Sequence, residues 1–328
     1  MASRRIQTAS RLFRSRNTMI VSNTITKPRN QGSALIAVFW LIAVLGMVVF
    51  ASTKMLATDS HFAKESRGRI YAKRYAEMGL AVGQHPAITP DDPLLQFTAE
   101  TGGGYSVTLV AEEARFNINA LLLNSDRSLL RRLFTKWNMK PEFASALSDA
   151  LKDWVDQDEL VSLNGAEKRE YEKEGFEGMP FNRPFKELDE MLLVRGMEQV
   201  NAFYPGWRDW FTVFGDGRID VNDARGELIS VLADVPMERV APLMQYRLGM
   251  DGVKWTKDDQ KLTSAVQVAQ MLGVFQPQIV QQLNQWVQFA GPIRRIESVG
   301  TLGDISRKLV MITQNNQTLW RGELPNHG

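Results

Sequence analysis

Residues 33–52 read SALIAVFWLIAVLGMVVFAS, and this run decides how the rest of the chain is organised. It carries no charge, and roughly 20 residues of α-helix span a bilayer's hydrocarbon core. A core helix of that length would ordinarily show a polar face, and none is present. The flanks are asymmetric. Residues 1–32 hold Arg4, Arg5, Arg11, Arg14, Arg16, Lys27 and Arg29 and no acid, whereas Lys54 and Lys64 beyond the run are accompanied by Asp59 and Glu65. Cation-rich flanks stay in the cytoplasm, so the expected arrangement is a single span, N-terminus inside, with everything after residue 52 on the far side.

The remainder is large enough to bury a core. The chain has 328 residues, 44% of them hydrophobic and 23% charged, which argues against wholesale disorder. It contains no cysteine and only three histidines, His61, His85 and His327. Disulfides and thiolate chemistry are excluded, and histidine-based catalysis or zinc binding has little to build on. The net charge of +2 hides the asymmetry: setting aside the seven leader cations leaves fewer than the 37 acids. A slightly acidic body lacks the electrostatic footprint of a nucleic-acid binder. No phosphate-cradling loop and no nucleophile–base pair is found, so no enzyme is expected.

The polar leader ends in Asn30-Gln31-Gly32 and the apolar run starts at once. This resembles the leader of type IV pilins and pseudopilins, which a prepilin peptidase cuts after the glycine. The resemblance implies cleavage between Gly32 and Ser33, N-methylation of the new terminus, and retention of the apolar helix. Most members of that superfamily carry glutamate at the fifth mature position; here that position is Ala37. A membrane-buried acid is costly without a partner, and its absence resembles the GspK-type minor pseudopilins of type II secretion systems.

The helix is expected to continue to residue 85. Ala72, Ala76 and Gly79 recur at helical spacing beside Tyr71, Tyr75, Met78 and Val82, and Gly83 and Pro86 supply stop signals. Small residues permit close approach by another element. Ala37, Leu41, Ala72, Ala76 and Gly79 are therefore the expected packing positions for partner helices.

After Gly102-Gly103-Gly104, YSVTLV alternates as a strand, Ala111–Ala114 reads as a turn, and RFNIN reads as a second, antiparallel strand. At the other end IRRIESVG, SRKLVMIT and TLWRG read as strands, with an Asn315-Asn316 hairpin turn. Between them the pattern is helical. Leu129, Leu130, Leu133, Phe134 and Trp137 form one apolar stripe, and Pro141 opens a helix carrying Phe143, Leu147, Leu151 and Trp154. Further helices are expected at Phe185–Val194, Ala224–Val231, Glu238–Arg247, Lys261–Leu272 and Pro277–Phe289, interrupted by one β-element, WFTVFGDGRIDVN.

That order, with RFNINALL, DWVDQD, NGAEKREYEKEG, NRPFKELDEMLLVRGM and FTVFGDGRIDVNDA inside it, is similar to the GspK family across almost the whole chain. The implied fold is α+β and type IV pilin-like: a long N-terminal helix, partly transmembrane, packed on a small antiparallel sheet with a large all-helical domain inserted in it. The expected divisions are a basic leader (1–32), the N-terminal helix (33–85, with 33–52 transmembrane), the first part of the sheet (86–124), the inserted helical domain (125–288) and the last strands (289–328). The implied function is that of a minor pseudopilin at the tip of the type II secretion pseudopilus. Its partners would be the GspI-, GspJ- and GspH-like minor pseudopilins, the major pseudopilin, the inner membrane and the prepilin peptidase.

Asp153, Asp156, Asp158 and Glu159 cluster in DWVDQDE, where a helix should end and its dipole disfavours acids. By chemistry alone the cluster fits either a solvated acidic loop or a hard-cation site, with Glu167 in loop reach. The GspK resemblance adds the expectation of structural calcium held by Asp153, Asp156, Asp158 and Glu167. In GDGRIDVND, Asp216, Asp220, Asn222 and Asp223 read as turn and helix-cap residues. LDEMLLVRGMEQV and LISVLADVPMERVAPLMQYR faintly resemble helix-hairpin-helix units, which would suit a membrane-anchored DNA-binding protein of the competence type. The first turn has only Gly196 and the second has Pro236, which removes a backbone donor, so both read as packing units. A minor type IV pilin is a further alternative.

Overall fold

The computed structural model describes residues 31–100, 102–123 and 127–324, with backbone alone at 31–33 and 56–63. Residues 1–30 of the expected leader lie outside the described residues, and Gly32 and Ser33 are described only as helical backbone. Two compact units divide the chain, residues 1–62 and 63–328. The first contains the start of helix α1 (Gln31–Gln84). Within it Ala34–Met55 forms a 22-residue span of mean hydropathy 2.8, none of it buried. Ala37 lies in this span, as does Leu41, 60% exposed. Twenty-two residues rise about 33 Å, enough to cross the hydrocarbon core.

The second unit contains the rest of α1 and all the strands. They are β1 (Gln96–Thr98), β2 (Gly103–Ala111), β3 (Phe116–Asn117), β4 (Phe211–Thr212), β5 (Ile219–Asp220), β6 (Val287–Gln288), β7 (Ile293–Leu302), β8 (Ile305–Gln314) and β9 (Gln317–Leu324). The main sheet has five antiparallel strands in the order β1-β2-β7-β8-β9. Asn315 and Asn316, at φ 50° and 65°, turn β8 into β9, as a two-residue hairpin with positive φ at both positions requires. The neighbours β2 and β7 are far apart in sequence, and everything from Glu112 to Pro292 leaves the sheet between them.

One sheet face receives α1. Ala76 and Leu80 pack with Tyr105, Val107, Leu109, Ile296, Leu309 and Met311, residues that alternate along their strands as period-two geometry dictates. The approach is close because the facing residues are small. A β-carbon on Gly300 of β7 would lie 1.9 Å from the Ala72 carbonyl oxygen and 2.3 Å from the Ala76 nitrogen. Ala72 and Ala76 are fully buried, and Gly79 faces Ser298 and Val107. The small-residue face that the sequence offers to a partner helix thus meets the chain's own sheet. Tyr71 and Met78, each 49% exposed, lie on the free side of α1.

The insertion contains α2 (Ile118–Leu123), α3 (Ser128–Lys136), α4 (Pro141–Val155), α5 (Lys168–Lys173), α6 (Met197–Phe203), α7 (Gly226–Ala233), α8 (Met237–Arg247), α9 (Ala265–Met271) and α10 (Pro277–Trp286). Its core is separate from that of the sheet and includes Phe116, Leu133, Phe134, Trp154, Trp207 and Phe211. The spacing of Phe143, Leu147, Leu151 and Trp154 places α4 as expected, and Trp154 meets Tyr171 and Phe181 edge-on and lies parallel to Phe185.

Three local expectations are corrected. RFNIN does not pair with YSVTLV: β3 runs parallel to β4, and Phe116 and Ile118 belong to the helical core. The partner of β2 on its outer side is β1, a short exposed strand. WFTVFGDGRIDVN is not one β-element, because β4 pairs with β3 and β5 with β6, both in parallel. These two-residue bridges tie the start, middle and end of the insertion together. The segment expected as a helix over Phe185–Val194 is a 3₁₀ helix at Leu188–Leu193.

Candidate functional site

The acidic loop grows out of the end of α4. Asp149, Asp153 and Asp156 follow one another at about one helical turn, so they share a side of the helix end. The chain then loops through Asp158 and Glu159 and re-enters helix at α5, whose N-cap residue is Glu167. Asp153 Oδ2 accepts the Ser162 N–H at 3.0 Å, and Asp149 Oδ2 accepts the Asn164 N–H at 3.3 Å. These bonds fold the loop back over the helix end. The fold-back requires Gly165, where a β-carbon would stand 1.9 Å from Asp153 Oδ2.

The carboxylates are not treated alike. Asp149 is paired with Arg127 at 2.8 Å and Arg131 at 3.2 Å. Among the described residues no ion pair reaches Asp153, Asp156 or Glu167. Asp153 is fully buried and Glu167 is 2% exposed. Asp153 Oδ1, Asp156 Oδ1 and both Glu167 oxygens are buried without a hydrogen-bond partner. Burial, then repulsion from Asp153, Asp156, Asp158 and Glu159, pushes Glu167 up to about 7. Burial likewise raises Asp153 and Asp156. Asp158 is exposed and accepts the Leu160 N–H at 2.9 Å.

Four orphaned acidic oxygens in one loop leave a large desolvation cost uncompensated. Carboxylate oxygens of this kind are what a hard divalent cation takes as ligands, so the residues fit the calcium expected here. Among the described residues no three acidic or histidine side chains already stand at metal-ligating spacing.

A second acidic group lies at the root of the insertion. Asp216 and Asp220 make the turns read from sequence, accepting the Arg218 and Asn222 N–H groups at 2.9 Å each, but the expected helix cap is not formed. Helix α7 starts at Gly226 with no side-chain cap. Asp223 instead accepts the Ala111 N–H of β2 at 2.7 Å, and Asp220 accepts the Gly291 N–H at 2.8 Å. Asn222 holds both Leu262 and Phe289 by their backbones. Glu113, 2% exposed, accepts the Ile293 N–H at 3.2 Å and is pushed by burial up to about 7. Beside it Glu112, Arg115, Arg295, Glu297 and Lys308 form a largely buried ionic network. Burial opposes the charge on Glu297, but Arg295 and Lys308 outweigh it and hold the carboxyl at about 2. Removing one member of such a network strands the others, which is costly. These contacts fix the insertion to both strands that flank it. Sequence reasoning missed them, although Arg295 and Glu297 alternate within a strand and so share one face.

Comparison with known proteins places these features in context. Residues 114–203, which contain the whole acidic loop, match the family model described as type II secretion system (T2SS), protein K. The chain is 26% identical over 250 residues to the type II secretion system protein K of Klebsiella pneumoniae, covering 67% of this chain and 76% of that protein. It superposes on a chain in the crystal structure of the GspK–GspI–GspJ complex from the enterotoxigenic Escherichia coli type 2 secretion system. That match has a TM-score of 0.60 at 18% identity and covers 82% of this chain and 100% of the other.

Proposed function

We infer that this chain, which belongs to the type II secretion system protein K family, acts as a minor pseudopilin at the tip of the secretion pseudopilus. The observation that carries the tip assignment is the insertion of Glu112–Pro292 between two neighbouring strands of a pilin-like sheet. A body of that bulk, rooted in the sheet, leaves little room for another subunit above it. The mechanism is packing rather than chemistry. The apolar span from Ala34 to Met55 holds the subunit in the inner membrane until assembly, with the body in the periplasm, as the leader's cations imply. The same apolar surface then joins the helical core of the fibre.

Ala37 fits a terminal place in that core. An acid at this position would neutralise the amine of the next subunit's N-terminus; alanine offers no such contact, and a capping subunit needs none. The solved relative is a complex with GspI and GspJ, and proteins of those two types are the partners proposed here. The exposed side of α1, with Tyr71 and Met78, is the surface available to them. The test is complementation: a type II-secreting bacterium deleted for its own protein K regains export when this chain is supplied with its cognate minor pseudopilins. Export that stays at the deletion level, with the chain expressed and membrane-bound, refutes the assignment.

Calcium is proposed as the counter-charge to the acidic loop, held by Asp153, Asp156, Asp158 and Glu167. When bound it supplies positive charge and oxygen coordination to carboxylates that the protein leaves unpaired, and so clamps a loop that no disulfide holds. A site at 100 times its dissociation constant contributes about 2.7 kcal/mol, or a rise of roughly 5–10 °C in Tm for a domain of this size. Detergent-extracted protein therefore melts at least ~5 °C lower in chelator than in millimolar calcium, and Glu167→Gln abolishes the difference. Equal melting curves for the parent protein in the two buffers contradict the proposal.

A further inference from the structure

A cavity of about 510 Å³ lies between α8, the loop that follows it, and the turn after α1. Its lining includes Arg247, 6% exposed, whose Nη1 donates to the Ala224 carbonyl at 2.6 Å. Arg247 Nε is buried with no partner, and among the described residues the guanidinium makes no ion pair. A buried cation left with a free donor is expensive and calls for an explanation.

The neighbouring acids are also engaged by other donors. Asp223 accepts from the Ala111 N–H and pairs with Lys254 at 3.4 Å. Asp259 accepts the Trp255 N–H at 2.8 Å, and Asp91 accepts from the Thr89 hydroxyl at 2.6 Å. Lys261 adds a further cation to the rim. The lining as a whole carries four cations, Arg225, Arg247, Lys254 and Lys261, against three acids, Asp91, Asp223 and Asp259.

The loop over the cavity is held in an unfavourable shape. Trp255 sits at φ 71°, in the left-handed region that aromatic residues seldom adopt and that persists only where the surroundings impose it. Asp258 imposes it: the carboxylate accepts the Met250 N–H at 2.6 Å, the Asp251 N–H at 3.1 Å and the Thr256 hydroxyl at 2.7 Å. The outcome is a rigid loop presenting the indole of Trp255, with the Lys254 ammonium 3.9 Å from the ring centroid, at the edge of the cavity. Strain of this sort clusters at ligand sites.

We propose that this cavity binds a carboxylate, with Arg247 and Lys261 meeting the charge and Trp255 and Met244 covering its aliphatic stem. Charge-assisted bonds from guanidinium to carboxylate are among the strongest that such a donor forms. The carboxylate has two possible sources, a free organic acid or an acidic group on a polypeptide. Neither depends on the pseudopilin assignment or on calcium.

The test is calorimetric titration of the full detergent-extracted chain with succinate, with sulfate, and with a peptide ending in a free carboxylate or its amide. Millimolar or tighter binding of succinate alone indicates a free acid. Binding of the free-carboxylate peptide in preference to its amide indicates a polypeptide. Two variants avoid damage to the fold: Trp255→Gly removes the ring at a backbone shape glycine prefers, and Lys261→Ala alters an exposed residue. Each is expected to weaken binding about tenfold, as the loss of one charged or stacking contact does, while Arg247→Met abolishes it. Absence of binding by every carboxylate at about 10 mM, tenfold above the millimolar affinity expected, overturns the proposal. So does sulfate binding as tightly as succinate, or unchanged affinity in Trp255→Gly and Lys261→Ala.

Discussion

Replacing Ile42 and Leu45 together with arginine is expected to reduce type II export to the level of a strain without this subunit. Both side chains are more than half exposed near the middle of the Ala34–Met55 span. An arginine at the centre of a transmembrane helix costs about 2.5–3.5 kcal/mol on insertion scales, so the pair costs roughly 6 kcal/mol. That shifts the segment's partition out of the bilayer by more than a factor of about 10,000. The same charges would stand inside the helical core of the fibre, where nothing of opposite sign is expected at Ala37. A control with Ile42→Leu and Leu45→Ile keeps the apolar surface and should export normally. Export by the double-arginine protein at the parent level would remove the basis for an anchoring role.

The second large effect concerns the joint between α1 and the sheet. Gly300→Val should lower Tm by roughly 6–12 °C, because the nearest contacts of the added β-carbon are all backbone atoms of α1 and cannot rotate away. Overpacking a joint of this kind costs about 3 kcal/mol, the upper end of the usual range, unless the helix lifts off the strand. Gly46→Ala is the matched control: nothing lies within 4 Å of its β-carbon, and alanine suits a helix. Parent-like melting of the Gly300→Val protein would mean that α1 does not rest on β7 as described.

How far the fold could be read in advance depended on the type of signal. The anchor, the α4 stripe ending at Trp154 and the Asn315-Asn316 turn were legible because each follows from a local rule, namely length, periodicity or backbone preference. The pairing of RFNIN was not legible. Two-residue strands such as β3 and β4 carry no alternation to set their partner, and the choice is made by the helical core into which Phe116 points. β1 escaped notice for a related reason, since all of its residues are exposed.

The candidate site divides in the same way. The acids of DWVDQD announced themselves by crowding at a helix C-terminus, a place their charge disfavours. That Asp149 would be neutralised by Arg127 and Arg131 while Asp153 and Glu167 would not depends on tertiary placement. Asp223 looked like a cap because cap residues and long-range anchors are the same residue types; only the structure shows its carboxylate on Ala111. Gly300 had a readable hint, a lone glycine inside a strand pattern, which commonly marks close backbone approach.

The greasy N-terminal helix must outlast maturation if the subunit is to be carried by it, and intact mass with N-terminal sequencing of membrane-extracted protein measures this directly. The account requires a mature chain that begins at Ser33 and retains the whole apolar span. A chain that starts beyond Ser52, with the span removed, would contradict it.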